Sequence, residues 1–200
     1  HQEARRQRQM CIRDSNSSGF GLKKIGIEIG SNNHIIVDKN GKTNLDNIYA
    51  VGDVIGPPWL AHVSSSEGLY VVEHIAKLSP KKIDYDCVPA CTYSKPEIGS
   101  IGLSQKILDE RGIDYKVVKS FFNANGKAVA SDSTEGFIKI LVSDRNQILG
   151  AHIIGSNATE MISEFSLAMS NNLSVENILD SIHPHPTFSE AIFETLMQLR

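Results

Sequence analysis

The chain has 200 residues, room for one large domain or two small ones, and its 40% hydrophobic and 22% charged residues are the balance of an ordinary soluble globular protein. A formal charge of −3 with no basic cluster argues against a nucleic-acid partner. No apolar run approaches the roughly 18 residues of a membrane-spanning helix, and Cys11, Cys87 and Cys91 are too few for a disulfide-stapled secreted scaffold.

Residues 1–15 (HQEARRQRQMCIRDS) are basic and Gln-rich, without the apolar core of a secretory signal. The stretch MCIRDS resembles translated sequencing-adapter sequence, so the leader is expected to be foreign to a fold that begins near Asn16. Alternation over Ile25–Ile29 and the β-branched Ile35-Ile36-Val37 suggest extended segments, and Asp38-Lys39-Asn40-Gly41 reads as a turn. Ile48-Tyr49-Ala50-Val51, ended by Gly52-Asp53, suits a buried strand. From Ala61 to Leu78, the apolar Leu69, Val72, Ile75 and Ala76 recur at helical spacing until Ser79-Pro80 stops the run.

A polar connection, residues 81–86, leads into a segment of different character. Strands are expected at 98–103, 115–122, 136–142 and 147–154, the last two joined by a turn at Asp144-Arg145-Asn146. Between the first two, Ser104–Arg111 reads as a short helix closed by Gly112. Asn157-x-x-Glu160 offers a capping-box variant for a helix whose apolar face is Met161, Ile162, Phe165, Ala168 and Met169. Ser174–Ile182 makes a second helix, and Thr187-x-x-Glu190 opens a third with Phe188, Ile192, Leu196 and Leu199 on its buried side. The pattern predicts an α+β unit, an antiparallel sheet with flanking helices. The expected domains are therefore 16–85 and 86–200, after the leader.

The most specific segment is His183-Pro184-His185-Pro186-Thr187-Phe188-Ser189-Glu190. Each proline drives its predecessor out of the α region, which fixes an imidazole on non-helical backbone just before a helix. A carboxylate five residues on, at the end of that helix's first turn, can fold back to orient the ring and favour its cationic form, as a general base requires. The plainer alternative makes Glu190 a capping partner of Thr187 and His185 a loop residue. Asp53, after Gly52 at the end of the apolar run, has a plain reading as the cap of a turn or of the following helix.

The pattern H-x-H-P-T-x-S-E resembles the C-terminal signature of the dihydrolipoamide dehydrogenases, a family of flavoprotein disulfide reductases. The resemblance implies that His185 and Glu190 form the acid–base dyad, that the His185–Pro186 bond is cis, and that His183 favours the lipoamide branch over glutathione reductases. It also implies that Gly52 and Asp53 contact FAD. Trp59-Leu60-Ala61-His62 is similar to the family's M-L-A-H beside the flavin, with Trp59 in place of Met and His62 in a structural role. Val88-Pro89, Lys95-Pro96-Glu97, Gly126–Ala130 and Leu149-Gly150-Ala151-His152 echo the family's interface domain at comparable spacing.

Residues 16–200 would then be the tail of an FAD-binding α/β domain followed by the interface domain. No G-x-G-x-x-G follows a strand, so the FAD-pyrophosphate and NAD sites are expected upstream, and the chain alone is expected to be inactive. Cys87 and Cys91 cannot be the redox pair: an extended chain holds them about 13 Å apart, against a disulfide limit of roughly 7 Å. The implied cofactors are FAD and NAD, with no metal. The implied partners are a second copy in a homodimer, with Met161–Met169 and Phe188–Leu199 as candidate contacts, and the lipoyl domains of 2-oxoacid dehydrogenase or glycine cleavage complexes. The expected compartment is bacterial cytoplasm or mitochondrial matrix. A glutathione or mercuric reductase, or a non-catalytic dimerisation module, is the alternative.

Overall fold

A computed structural model describes residues 15–200, and the rest of the expected leader, Cys11 included, lies outside the described residues. The chain divides into two compact units between Ile83 and Asp84.

In the first unit the first described residue already packs. Ser15 is buried, and its hydroxyl donates to the Asp53 carbonyl at 2.6 Å. The extended segments pair only through single bridges, Ile29 with Ile35 and Lys42 with Tyr49. Ile48–Val51 is half-buried rather than a buried strand. The reason is pairing: among the described residues no third strand flanks these segments, and a lone two-stranded pair is marginal. The turn forms as expected, with the Gly41 amide donating to the Asp38 carbonyl at 3.0 Å.

The following helix, α1 (Ala61–Ile75), is shorter than the periodic run. Lys77 at φ 61° ends it, with the Leu78 amide donating to Glu73 O and the Lys77 amide to His74 O, before Pro80 can act. Its buried face is Val63, Glu67 and Val71, whereas Leu69, Val72 and Ile75 are exposed. The residues that set the apolar period are therefore not the ones this unit buries.

The second unit is an α+β fold around one antiparallel sheet. Its strands are β1 (Ala90–Thr92), β2 (Ile98–Gly102), β3 (Lys116–Phe121), β4 (Gly136–Val142) and β5 (Ile148–Gly155), in the order β1-β2-β5-β4-β3. The short edge strand β1 carries no alternation long enough to be read from sequence. Between β2 and β3 lies α2 (Gln105–Arg111), with Ser104 as N-cap and Gly112 in the left-handed C-cap at φ 63°. Asn125 caps the short α3 (Gly126–Ala130) through its side chain.

One sheet face is covered by α4 (Ala158–Ser170), packed on β2 and β5, and α6 (Glu190–Leu196), packed on β3 and β4, with α5 (Val175–Leu179) between them in sequence. Phe122, Ile140, Phe165, Ile192 and Leu196 have no exposed surface in this core. Met161, Ile162, Phe165, Phe188 and Ile192 are buried within this unit's own core. Gly99 permits the close helix–sheet approach, since a Cβ there would collide with the Ala158 carbonyl.

Asn157 does not cap α4. It sits at φ 62° without a side-chain bond, and the Glu97 carboxylate takes its place, accepting from the Thr159 amide at 3.1 Å and hydroxyl at 2.8 Å. The next helix does carry a capping box, between Ser174 and Asn177. Among the described residues no helix is long and apolar enough to cross a membrane.

Emptying the core at Phe165, which is 0% exposed, is expected to cost about 3–5 kcal/mol, read by urea unfolding of the chain. Ile182→Ala, at a side chain 98% exposed, should stay within about 0.5 kcal/mol. Equal effects at the two positions would contradict this core.

Candidate active site

The loop between α5 and α6 carries His183-Pro184-His185-Pro186, with the His185–Pro186 bond cis. Glu190 is the first residue of α6 rather than the end of its first turn. Thr187 does not cap the helix, whose N-cap position is Ser189: the Thr187 hydroxyl donates back to the Pro184 carbonyl at 2.7 Å. The Glu190 carboxylate then serves both suggested roles. Oε2 accepts the Thr187 amide at 2.8 Å, while Oε1 lies 2.8 Å from His185 Nδ1.

An ionised carboxylate only accepts, so Nδ1 must carry the proton, which leaves Nε2 as the basic nitrogen of a neutral ring. The His185 side chain is 77% exposed, and that of Glu190 22%. The Thr187 amide, then the His185 ring, hold the Glu190 carboxyl below its ordinary value. One turn on, burial and the Glu190 charge push the Glu194 carboxyl up.

The loop is braced from below. Asn125, 1% exposed, donates from Nδ2 to the Thr187 carbonyl at 3.1 Å. Phe188 meets Phe122 edge-on, with centroids 5.8 Å apart. A second histidine–carboxylate pair, which sequence reasoning missed, lies alongside: His183 Nε2 is 2.9 Å from Glu164 Oε1. No periodic pattern couples residues 19 apart, so no sequence signal would have found Glu164. Beside the loop, Lys127, Glu160, Glu164, Thr187 and Phe188 contribute to the lining of an open cavity of about 450 Å³.

Cys87 and Cys91 form no disulfide. Burial is the first cause raising the Cys91 thiol, which disfavours the reactive thiolate.

The other predicted cluster lies in the first unit. Gly52, at φ 76°, opens a 3₁₀ turn over Gly52–Ile55 that includes Asp53. Its amide donates to the buried Glu67 carboxylate of α1 at 2.6 Å, and a Cβ there would press on Ser64. Glycine is therefore required by this unit's own packing. Trp59 and Leu60 lead into α1, with Leu60 as an N-cap that offers no side-chain bond, and Ala61 and His62 begin the helix. Trp59, Ala61 and His62 are exposed. The N-terminal end of α1 carries partial positive charge and exposes Trp59, Ala61 and His62, a setting compatible with an electron-rich ring such as a flavin's.

Residues 88–196 match the family model described as pyridine nucleotide-disulphide oxidoreductase, dimerisation domain, and residues 10–68 match pyridine nucleotide-disulphide oxidoreductase. The chain is 43% identical over 187 residues to the mitochondrial dihydrolipoyl dehydrogenase of Sus scrofa, covering 92% of this chain and 36% of that protein. The corresponding protein of Caenorhabditis elegans is 41% identical over 179 residues, covering 89% and 36%. The chain therefore spans about a third of the length of these relatives. Among solved structures, LpdA from Mycobacterium tuberculosis superposes with a TM-score of 0.88 at 27% identity, covering 94% of this chain and 41% of that one. The HOCl-induced flavoprotein disulfide reductase RclA from Escherichia coli gives 0.84 at 25% identity, covering 94% and 43%. With this sheet, its helices and the family match over more than half its length, the chain belongs to the pyridine nucleotide-disulphide oxidoreductases.

Proposed function

We propose that this chain is the C-terminal part of a dihydrolipoamide dehydrogenase, in which His185 is the general base and Glu190 its orienting carboxylate. The observation that carries the reading is the 2.8 Å contact of Glu190 Oε1 with His185 Nδ1, which leaves Nε2 basic on an exposed ring. The overall reaction oxidises a lipoyl dithiol to its disulfide and reduces NAD⁺ to NADH, releasing one proton.

His185 Nε2 takes the proton from a substrate thiol, because the thiolate is the species that attacks a disulfide. That thiolate opens the enzyme's redox disulfide, which lies outside this chain, and the second substrate thiol closes the substrate disulfide. The imidazolium formed meanwhile is stabilised by the Glu190 carboxylate at its other nitrogen. FAD supplies the two-electron relay to NAD⁺ when bound. Asp53 would hold its hydroxyls, and the segment Trp59, Leu60, Ala61 and His62 would face its ring.

The dimerisation-domain match supports a homodimer, with each site completed by the neighbouring copy. Leu167, Ile182 and Met197 are exposed apolar side chains available for that contact. Lipoyl domains are the proposed substrate carriers, and a mitochondrial matrix or bacterial cytoplasm the proposed compartment. A disulfide reductase for another substrate is the second reading, favoured by the likeness to RclA. Turnover with dihydrolipoamide but not with glutathione or other thiols separates the two.

In the complete enzyme, His185→Gln is expected to lower turnover by about 10²-fold or more; near-normal turnover removes His185 from the mechanism. The 200-residue chain purified alone should carry no flavin absorbance, and stoichiometric FAD would contradict the division of sites proposed here.

The Glu190 carboxyl is depressed below its ordinary 4.5, so its contribution to loop stability is full above that pH and fades as pH falls through the lower folded value. An acid titration of the chain, followed by NMR on the Thr187 amide, should show the loop releasing only below pH 4.5. In Glu190→Gln that acid transition should vanish; an unchanged transition would assign it to another group.

A further inference from the structure

We propose that Glu164 and His183 form a second histidine–carboxylate clamp, partly buried beside the loop, that positions His185 for proton transfer. It rests on the reading of His185 as the base, and it assigns a duty to two residues that the dyad does not use.

His183 Nε2 faces Glu164 Oε1 at 2.9 Å, and Nδ1 faces the Ser181 carbonyl at 3.2 Å. Both partners are acceptors, so both contacts are hydrogen bonds only when the ring carries two protons. The His183 side chain is 8% exposed and that of Glu164 31%, so the ring is largely screened from water while the carboxylate is half-buried. The Phe193 ring, with its centroid 6.0 Å from that of His183, closes another side.

Buried pairs of this kind add little net stability over an apolar replacement, but they fix geometry. Here the geometry is consequential. Glu164 projects from α4, whose Ile162 and Phe165 are anchored in the core at 1% and 0% exposure. His183 is two residues before His185, joined through Pro184, whose ring restricts the chain.

The two ends of the segment are thus pinned by different elements. His183 is tied to α4, and the Thr187 carbonyl is tied to Asn125 at the start of α3. His185 lies between the pins on an exposed stretch, and its ring is tethered by Glu190. Attraction to His183 also contributes, as the smallest cause, to lowering the Glu190 carboxyl. A functional side chain held to within a fraction of an ångström needs this kind of support from rigid elements.

The test uses the full 200-residue chain with ¹⁵N-labelled histidine. Long-range ¹H–¹⁵N spectra report which ring nitrogens carry protons. In the unaltered chain, His183 should carry a proton on Nε2, the nitrogen that faces Glu164, and His185 a proton on Nδ1. Glu164→Ala should leave the methyl signals of Ile140 and Ile192 in place while His185 becomes a mixture of tautomers. His183→Leu removes the same contact from the other side and gives the same reading if Glu164→Ala does not fold. His183→Gln, which keeps a side-chain donor for Glu164, should restore the Nδ1–H form.

In the complete enzyme, Glu164→Ala should lower kcat by between about 10-fold and 100-fold, the scale of a misplaced catalytic group. The KM for NAD⁺ should not change, and His183→Gln should retain most of kcat. An unchanged His185 tautomer in both Glu164→Ala and His183→Leu overturns the proposal. So does a loss of kcat that His183→Gln suffers equally. Failure of the underlying function reads differently: His185→Gln would keep its turnover while the tautomer results still stand.

Discussion

The loop that carries His185 is organised by one carboxylate with two acceptors. Glu190 Oε2 takes the Thr187 amide and Oε1 takes His185 Nδ1, both at 2.8 Å. Because a carboxylate has no proton to give, this bond dictates which ring nitrogen is protonated and therefore which is basic. The backbone bond to Thr187 holds the carboxylate in position, so the backbone contact and the orientation of the ring draw on the same group. Losing either contact would leave the ring free to choose its tautomer.

That carboxylate is placed by a helix, α6, whose inner face is anchored in the core. Ile192 and Leu196 are fully buried against the sheet, and Thr195 turns its hydroxyl back to the Ala191 carbonyl at 2.6 Å. The loop's other supports come from separate elements: Glu164 from α4, Asn125 from the start of α3, and Phe122 just after β3. The sheet order β1-β2-β5-β4-β3 gathers them, since α4 covers β2 and β5 while α6 covers β3 and β4. A site assembled this way tolerates an exposed imidazole, because rigidity is supplied beneath it.

The first unit uses its conspicuous residues differently. Gly52 takes a left-handed conformation, bonds the buried Glu67 and leaves space that Ser64 occupies, so this glycine is needed with or without a ligand. Leu69, Val72 and Ile75 face outward from α1, while Val63, Glu67 and Val71 face inward. The unit holds together through turns and single bridges, with α1 as its one regular helix among the described residues.

Local chemistry was legible from the sequence alone. Strand β4, the Gly112 cap, the Asp144–Asn146 turn and the proline-framed histidines follow from side-chain period, left-handed glycine and proline sterics, each set within a few residues. The pairing of His185 with Glu190 was also within reach, being five residues apart. Whatever required distant residues to meet was decided by the tertiary structure. Glu97, not Asn157, supplies the side-chain cap of α4 from 62 residues away; Glu164 finds His183 across a helix and a loop; Met161 and Phe188 pack into the core cluster. The spacing of a pattern records which face a residue occupies, but what covers that face depends on how the whole sheet and its helices close around it.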